Sequence, residues 1–175
     1  MSGAFTLVLG GARSGKSALA ERHLLQQAEG RAPVYLATAE ARDDEMRARI
    51  AQHRFQRAGQ GWQTQDAPRD LVGALAGLPV QAPVLIDCLT LWLTNQMLAD
   101  ADLAAEARAL AEAIARHAGP VVAVANEVGL GIVPENALAR RFRDAAGRLN
   151  QDLAAQAGCV VFVAAGLPLV LKGQM

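Results

Sequence analysis

Gly10-Gly11-Ala12-Arg13-Ser14-Gly15-Lys16-Ser17 is the stretch on which the reading of this chain turns. It fits G-x-x-x-x-G-K-[ST], the pattern of a loop that wraps phosphate. Thr6-Leu7-Val8-Leu9 runs straight into it, and a helix-compatible run from Ala18 to Ala28 leaves it. That setting counts for more than the pattern, because such a loop works only between a buried strand and a helix start. There the backbone N–H groups converge on phosphate oxygens and the helix dipole favours negative charge. Gly10 and Gly15 let the backbone turn tightly around the anion. Lys16 reaches the terminal phosphates, and the Ser17 hydroxyl ligates Mg²⁺. The alternative is an ordinary Gly/Ser turn. Strand, loop and helix in register favour a nucleoside triphosphate site.

The totals bound the rest. At 175 residues the chain is long enough for one domain with a substantial core, expected to run from 1 to 175. Apolar content of 52% and charged content of 19% place it among globular proteins rather than disordered ones. Lys+Arg and Asp+Glu both number 17, so bulk charge gives no sign of a nucleic-acid or membrane partner. Any attraction for phosphate must come from local clusters. Cys88 and Cys159 both lie in apolar, strand-like runs and read as buried thiols, without disulfide or metal spacing. No charged n-region with a long apolar stretch marks a secretory signal. The longest apolar run, Cys159 to Leu171, is broken by Gly166 and Pro168 and is too short to cross a bilayer. These features predict a soluble, cytoplasmic protein.

Five strand-like runs alternate with helical patterns: Phe5–Leu9, Val34–Thr38, Val84–Asp87, Val121–Ala125 and Cys159–Ala164. Their nearly continuous apolar character is that of strands covered on both faces. With helices between them they form βαβ units, which predicts a three-layer α/β/α domain of the P-loop NTPase type with a mostly parallel central sheet. Gly-Pro at 119–120 and Ala-Pro at 32–33 and 82–83 mark entries into strands. Asp43 to Gln56 reads as a helix with an acidic start suited to the dipole. Met46, Ile50 and His53 share one face of it. A polar Gly/Gln-rich loop follows, with Asp66 and Pro68 placed to cap a short helix. Asp102 to His117 is an amphipathic, structural helix. Asn126 to Asn136 forms a glycine-punctuated loop at the end of the fourth strand, where open α/β sheets gather ligands. Ala137 to Ala157 is the last helix, and its arginines read as solvated by default.

Two positions carry candidate chemistry. Asp87 ends the run Val-Leu-Ile-Asp, like an apolar strand finishing in a carboxylate that orients Mg²⁺; a strand-end turn aspartate is the alternative. Cys88 follows it where many hydrolases carry a second acid, which tilts the reading toward group transfer. His53 is flanked by Arg49, Arg54 and Arg57. An inward histidine is usually a packed core residue, but guanidinium groups bind phosphate bidentately. Cations beside an imidazole lower its pKa and stabilise charge on a transferring phosphoryl group. A neutral His53 could then attack an α-phosphorus with pyrophosphate leaving. His23 and His117 lack such neighbours and read as surface or packing residues.

These residues resemble the bifunctional adenosylcobinamide kinase/adenosylcobinamide-phosphate guanylyltransferases of cobalamin biosynthesis. The likeness rests on GGARSGKS at Gly10–Ser17, YLAT at Tyr35–Thr38, and DDEMRARI at Asp43–Ile50 with His53 and Arg54. NEVGLGIVPEN at Asn126–Asn136 and LARRFRDAAGRLN at Leu138–Asn150 extend it over nearly the whole chain. The resemblance implies phosphorylation of adenosylcobinamide by GTP or ATP. It then implies GMP transfer from GTP, through the enzyme's histidine, to adenosylcobinamide phosphate. It makes His53 the guanylylated residue, with Gly10, Gly11, Ala12, Arg13, Ser14, Gly15, Lys16 and Ser17 holding phosphates. Leu36, Ala37 and Thr38, with Arg54, Phe55, Gln56 and Arg57, match nucleotide-contacting segments. Asp66 stands at the family's acidic position before the third helix, Asp87 at its metal-orienting acid, and a homotrimer is implied. Two other readings stay open from the residues alone: a monofunctional small-molecule kinase on the same scaffold, and a non-catalytic GTP-dependent switch.

Overall fold

The structure is a computed structural model and describes residues 4–41, 44–57 and 59–175. Arg42, Asp43 and Ala58 lie outside the described residues, as do the side chains of Glu45, Met46, Arg49, His53, Arg54 and Gln56. The acidic start at Asp43 and the Met46 face are therefore expectations on which the structure is silent.

The chain alternates strands and helices. In order it runs β1 (Phe5–Gly10), α1 (Lys16–Gln27), β2 (Val34–Ala37), α2 (Asp44–Arg57), β3 (Gln63–Asp66) and α3 (Leu71–Ala76). It continues with β4 (Val84–Asp87), α4 (Leu89–Leu98), α5 (Leu103–Arg116), β5 (Val121–Asn126), α6 (Ala137–Gln156), β6 (Cys159–Ala164) and β7 (Leu167–Lys172). The strands form one sheet in the order β3-β2-β4-β5-β1-β6-β7. All pairs are parallel except β6 with β7.

Strand alternation sorts the core onto two faces. Phe5, Leu7 and Leu9, with Val121, Ala123 and Ala125, pack against α3, α4, α5 and α6 through residues such as Leu71, Trp92, Leu110 and Leu149. Val8, Val122 and Val124 point the other way, onto Leu19, Ala20 and Leu24 of α1. Helices thus cover both faces, which is why β1 and β5 need no polar side to speak of. Cys88 and Cys159 are buried and unbridged, as their apolar surroundings predict.

Three elements depart from the sequence expectations. β3 has no apolar residue and all four of its residues are exposed, so hydrophobic periodicity could not reveal it; it exists by pairing with β2. β7 was hidden by Pro168, which reads as a breaker but is tolerated on an edge strand. α4 is buried on most of its circumference, Thr90, Asn95 and Gln96 included, so it shows no amphipathic period. The cap of α3 also differs: Asp70, not Asp66 or Pro68, accepts the Gly73 N–H at 2.7 Å.

Candidate active site

The phosphate-loop sequence lies where β1 ends and α1 begins. Backbone geometry there is unusual: Arg13 and Gly15 both adopt positive φ, 55° and 93°. A Cβ on Gly10 would lie 2.6 Å from both the Ser14 Oγ and the Val163 carbonyl oxygen, so only glycine fits that corner. Lys16 is buried and its Nζ donates to the Gly11 carbonyl at 2.9 Å, which folds the side chain back over the loop. The Ser14 hydroxyl is buried without a hydrogen-bond partner among the described residues. An anion seated on this loop would give it one.

A cavity of about 240 Å³ opens over the loop at the C-terminal ends of the strands. Arg13, Lys16 and Ser17 form one wall; Tyr35 and Ala37 of β2, Asp87 of β4 and Asn126 of β5 form another. Ile50 and Arg57 bring α2 to its rim. The glycine loop, Asp87, the start of the 126–136 loop and the arginine-bearing helix therefore converge on one space. Ser17 and Asp87 present hard oxygen donors to it. Among the described residues no cluster of three or more His, Cys, Asp or Glu groups could hold a metal by itself. The Ser17 and Asp87 oxygens are donors of the type Mg²⁺ takes, since it binds through one or two protein oxygens together with waters and substrate phosphates.

One side of the cavity is organised by a buried stack. The Tyr35 hydroxyl donates to Asp87 Oδ2 at 2.7 Å. The Arg57 guanidinium lies 3.5 Å from the centroid of the Tyr35 ring, and Trp62 meets that ring edge-on at 5.9 Å. Arg57 also pairs with Glu21 of α1 at 3.7 Å, while its Nε has no hydrogen-bond partner among the described residues. Burial, then the Asp87 charge, push the Tyr35 phenol far above its usual range. Burial raises the Glu21 carboxyl against the opposing pull of Arg57. Burial and the neighbouring Asp87 push the Cys88 thiol up to about 11, so it is no thiolate nucleophile at neutral pH.

Several predicted site residues sit elsewhere. Leu36 is fully buried in the core face that carries α3–α6, away from the cavity. Thr38 is also fully buried; its hydroxyl donates to the Cys88 carbonyl at 2.7 Å and accepts the Cys88 N–H at 2.8 Å. It thereby fixes the backbone after Asp87, and of residues 36–38 only Ala37 lines the cavity. Phe55 is 82% exposed. Asp66 ends β3 beside Ala37, but lines an adjoining open groove of about 540 Å³ with Glu40 and Arg69. His53 is on α2; its side chain, with those of Arg54 and Gln56, lies outside the described ones. His23 and His117 are packing residues: His117 Nε2 meets the Ala82 carbonyl at 2.8 Å. Sequence reasoning missed Tyr35 and Glu21. Glu21 follows Ser17 by one helical turn, a spacing that places it on the same face of α1.

The family model described as "Cobinamide kinase / cobinamide phosphate guanyltransferase" matches residues 6–171. The chain belongs to this family. Among its cobinamide kinase/guanyltransferase relatives is the bifunctional adenosylcobalamin biosynthesis protein CobP of Pseudomonas aeruginosa, 47% identical over 96% of this chain and 97% of that protein. CobU of Salmonella typhimurium, with the same bifunctional description, is 42% identical over 95% of this chain and 98% of its own length. Among solved structures, an ATPase domain is similar in fold, with a TM-score of 0.50 at 14% identity, covering 91% of this chain and 68% of that one. The cobinamide kinase/guanyltransferase family is therefore built here on a P-loop NTPase-type sheet.

Proposed function

We propose that the chain acts as a single domain, 1–175, catalysing both reactions of its family. In the first, GTP or ATP phosphorylates the aminopropanol hydroxyl of adenosylcobinamide. In the second, the His53 imidazole attacks the α-phosphorus of GTP and pyrophosphate leaves, giving a guanylylated histidine. An oxygen of adenosylcobinamide phosphate then attacks that phosphorus and breaks its bond to nitrogen. Histidine is freed and adenosylcobinamide-GDP forms. Gly10–Ser17 hold the triphosphate, Lys16 offsets charge on its outer phosphates, and Arg57 offers toward the same space a buried N–H that has no hydrogen-bond partner among the described residues. Ser17 and Asp87 would hold Mg²⁺, which neutralises phosphate charge and helps pyrophosphate leave.

The observation that carries this reading is the placement of α2. Ile50 and Arg57, which line the cavity, stand three residues before and four after position 53. Positions at that spacing share one face of a helix. The test is incubation with GTP labelled at the α-phosphate. Acid-labile, alkali-stable label is expected on the protein, and His53→Ala is expected to abolish it. Phosphorylation of adenosylcobinamide without covalent label would instead support a monofunctional kinase.

The reading places the enzyme in the cytoplasm, where GTP and ATP are supplied. No helix among the described residues is long and apolar enough to cross a membrane. It also includes a homotrimer. What supports assembly is β7, an edge strand on which Leu167, Leu169, Val170 and Leu171 are all exposed.

A further inference from the structure

The glycine loop and Asp87 were recognisable by pattern, but nothing in the pattern says what holds the Asp87 carboxylate in place. A carboxylate at the end of a strand rotates through a broad torsional well. Unless something fixes it, its oxygens sample several directions, and a metal that must meet one of them in near-octahedral geometry binds less well. In this chain the fixing group is on the neighbouring strand. β2 and β4 pair with Tyr35 opposite Leu85 and Ala37 opposite Asp87. Tyr35 is two residues before Ala37, so both side chains leave β2 on the cavity face. The phenol reaches forward along that face to Asp87 Oδ2 at 2.7 Å.

The ring that carries this hydroxyl cannot swing away. Arg57 lies over the ring at 3.5 Å from its centroid. Trp62 abuts it in an edge-to-face contact, with planes 83° apart. Tyr35 is 4% exposed, and a ring so enclosed has one rotamer. One carboxylate oxygen is thereby occupied by a fixed donor, and among the described residues no hydrogen bond holds the other, on the residue's cavity side.

We propose that Tyr35 is a positioning residue for Asp87: it holds the carboxylate in the orientation that receives Mg²⁺ with the bound triphosphate. This rests on the reading of the cavity as a Mg²⁺–nucleotide site. It adds a role for a residue that lies on β2, outside both the phosphate loop and α2. It also explains the use of a tyrosine deep in a strand whose next inward residue is alanine. An outer-shell partner of this kind works through the ligand it orients.

The test is Tyr35→Phe, which keeps the ring, its packing on Trp62 and its contact with Arg57, and removes only the hydroxyl. GTP binding is measured by calorimetry without divalent metal and across a Mg²⁺ titration, with thermal melts as a check on folding. Metal-free GTP affinity is expected to be unchanged, while the Mg²⁺ midpoint rises by about tenfold, the low end of outer-shell effects on metal affinity. Excess Mg²⁺ should restore binding. An unchanged midpoint overturns the proposal; so does a parallel fall of metal-free and metal-supported binding, which would mark a merely structural tyrosine. Asp87→Asn supplies the second arm. If Tyr35 acts through Asp87, adding Tyr35→Phe to Asp87→Asn leaves the Mg²⁺ midpoint where Asp87→Asn alone put it; additive shifts overturn the proposal. A wild-type protein that binds GTP with Mg²⁺ in the expected way but takes no covalent label would sink the transfer reading alone, leaving the role of Tyr35 intact. Wild-type binding indifferent to Mg²⁺ would overturn both.

Discussion

In the proposed site, Lys16 is a side chain already set for a phosphate ligand. Its ammonium is buried and already turned onto the Gly11 carbonyl, inside the loop that is to surround the phosphates. Little conformational entropy is left to lose on binding. Lys16→Ala is therefore expected to weaken GTP binding by at least about tenfold, in line with the ~1.5–3 kcal/mol of a hydrogen bond to a charged group. Calorimetric titration of the variant checks it, and an unchanged affinity would mean that the loop does not seat the triphosphate. His23 makes a different kind of prediction. It is buried on α1, its Nε2 accepting from the Gln27 amide at 3.0 Å and lying 3.3 Å from the Thr6 hydroxyl. Burial holds its pKa below the ordinary 6.5, so the folded protein binds fewer protons there than the unfolded chain. Stability is full above that ordinary value and falls as pH drops through it toward the folded value, by at most about 1.4 kcal/mol per pH unit. Thermal melts across mildly acidic pH should show this slope, and His23→Gln should flatten it. At this scale the sequence was most legible where a residue type is forced, as at Gly10 or Lys16. It was least legible where roles depend on neighbours distant in the chain. Tyr35 and Asp87 are separated by 52 positions yet joined by one hydrogen bond, and only the fold shows that alternation along β2 turns the Leu36 side chain into the core.

Among the elements, those with their own signal were recovered and those defined by partners were not. β1, β4, β5 and β6 are apolar runs buried on both sides, and α5 and α6 carry caps and an amphipathic stripe. The caps are testable. Asp102 accepts from the Ala104 and Ala105 N–H groups, and Asn136 from those of Leu138 and Ala139. Replacing either with alanine is expected to cost about 1 kcal/mol in chemical denaturation. The two variants should differ in function. Asn136 also closes the 126–136 loop, whose other end, Asn126, lines the cavity, whereas Asp102 starts a helix remote from it. Nucleotidyl transfer should fall in Asn136→Ala and stay unchanged in Asp102→Ala; equal activities would remove the loop from the site. β3, by contrast, is four exposed polar residues that form a strand only because β2 offers an open edge. No reading of Gln63–Asp66 in isolation could find it.

Over the whole molecule, side-chain chemistry is gathered at one end of the sheet, and one stretch of uncovered apolar surface runs along its β7 edge. If the proposed homotrimer forms through β7, Leu169→Glu combined with Leu171→Glu should turn it into monomers in size-exclusion chromatography with light scattering, without loss of folding. Persistence of the larger species would move the subunit contact elsewhere. The sequence suggested the assembly only by family likeness, since exposure of an apolar strand is a property of the fold rather than of the string of residues. The hairpin joining β6 to β7 has a second attachment: the Gly166 N–H donates to the Ser14 carbonyl at 2.8 Å, and a Cβ on Gly15 would sit 3.2 Å from Gly166. The turn that leads into β7 thus braces the glycine loop from outside. Trimming a tail that looks dispensable, or crowding it with a fused tag, would loosen a grip made more than a hundred residues earlier in the chain.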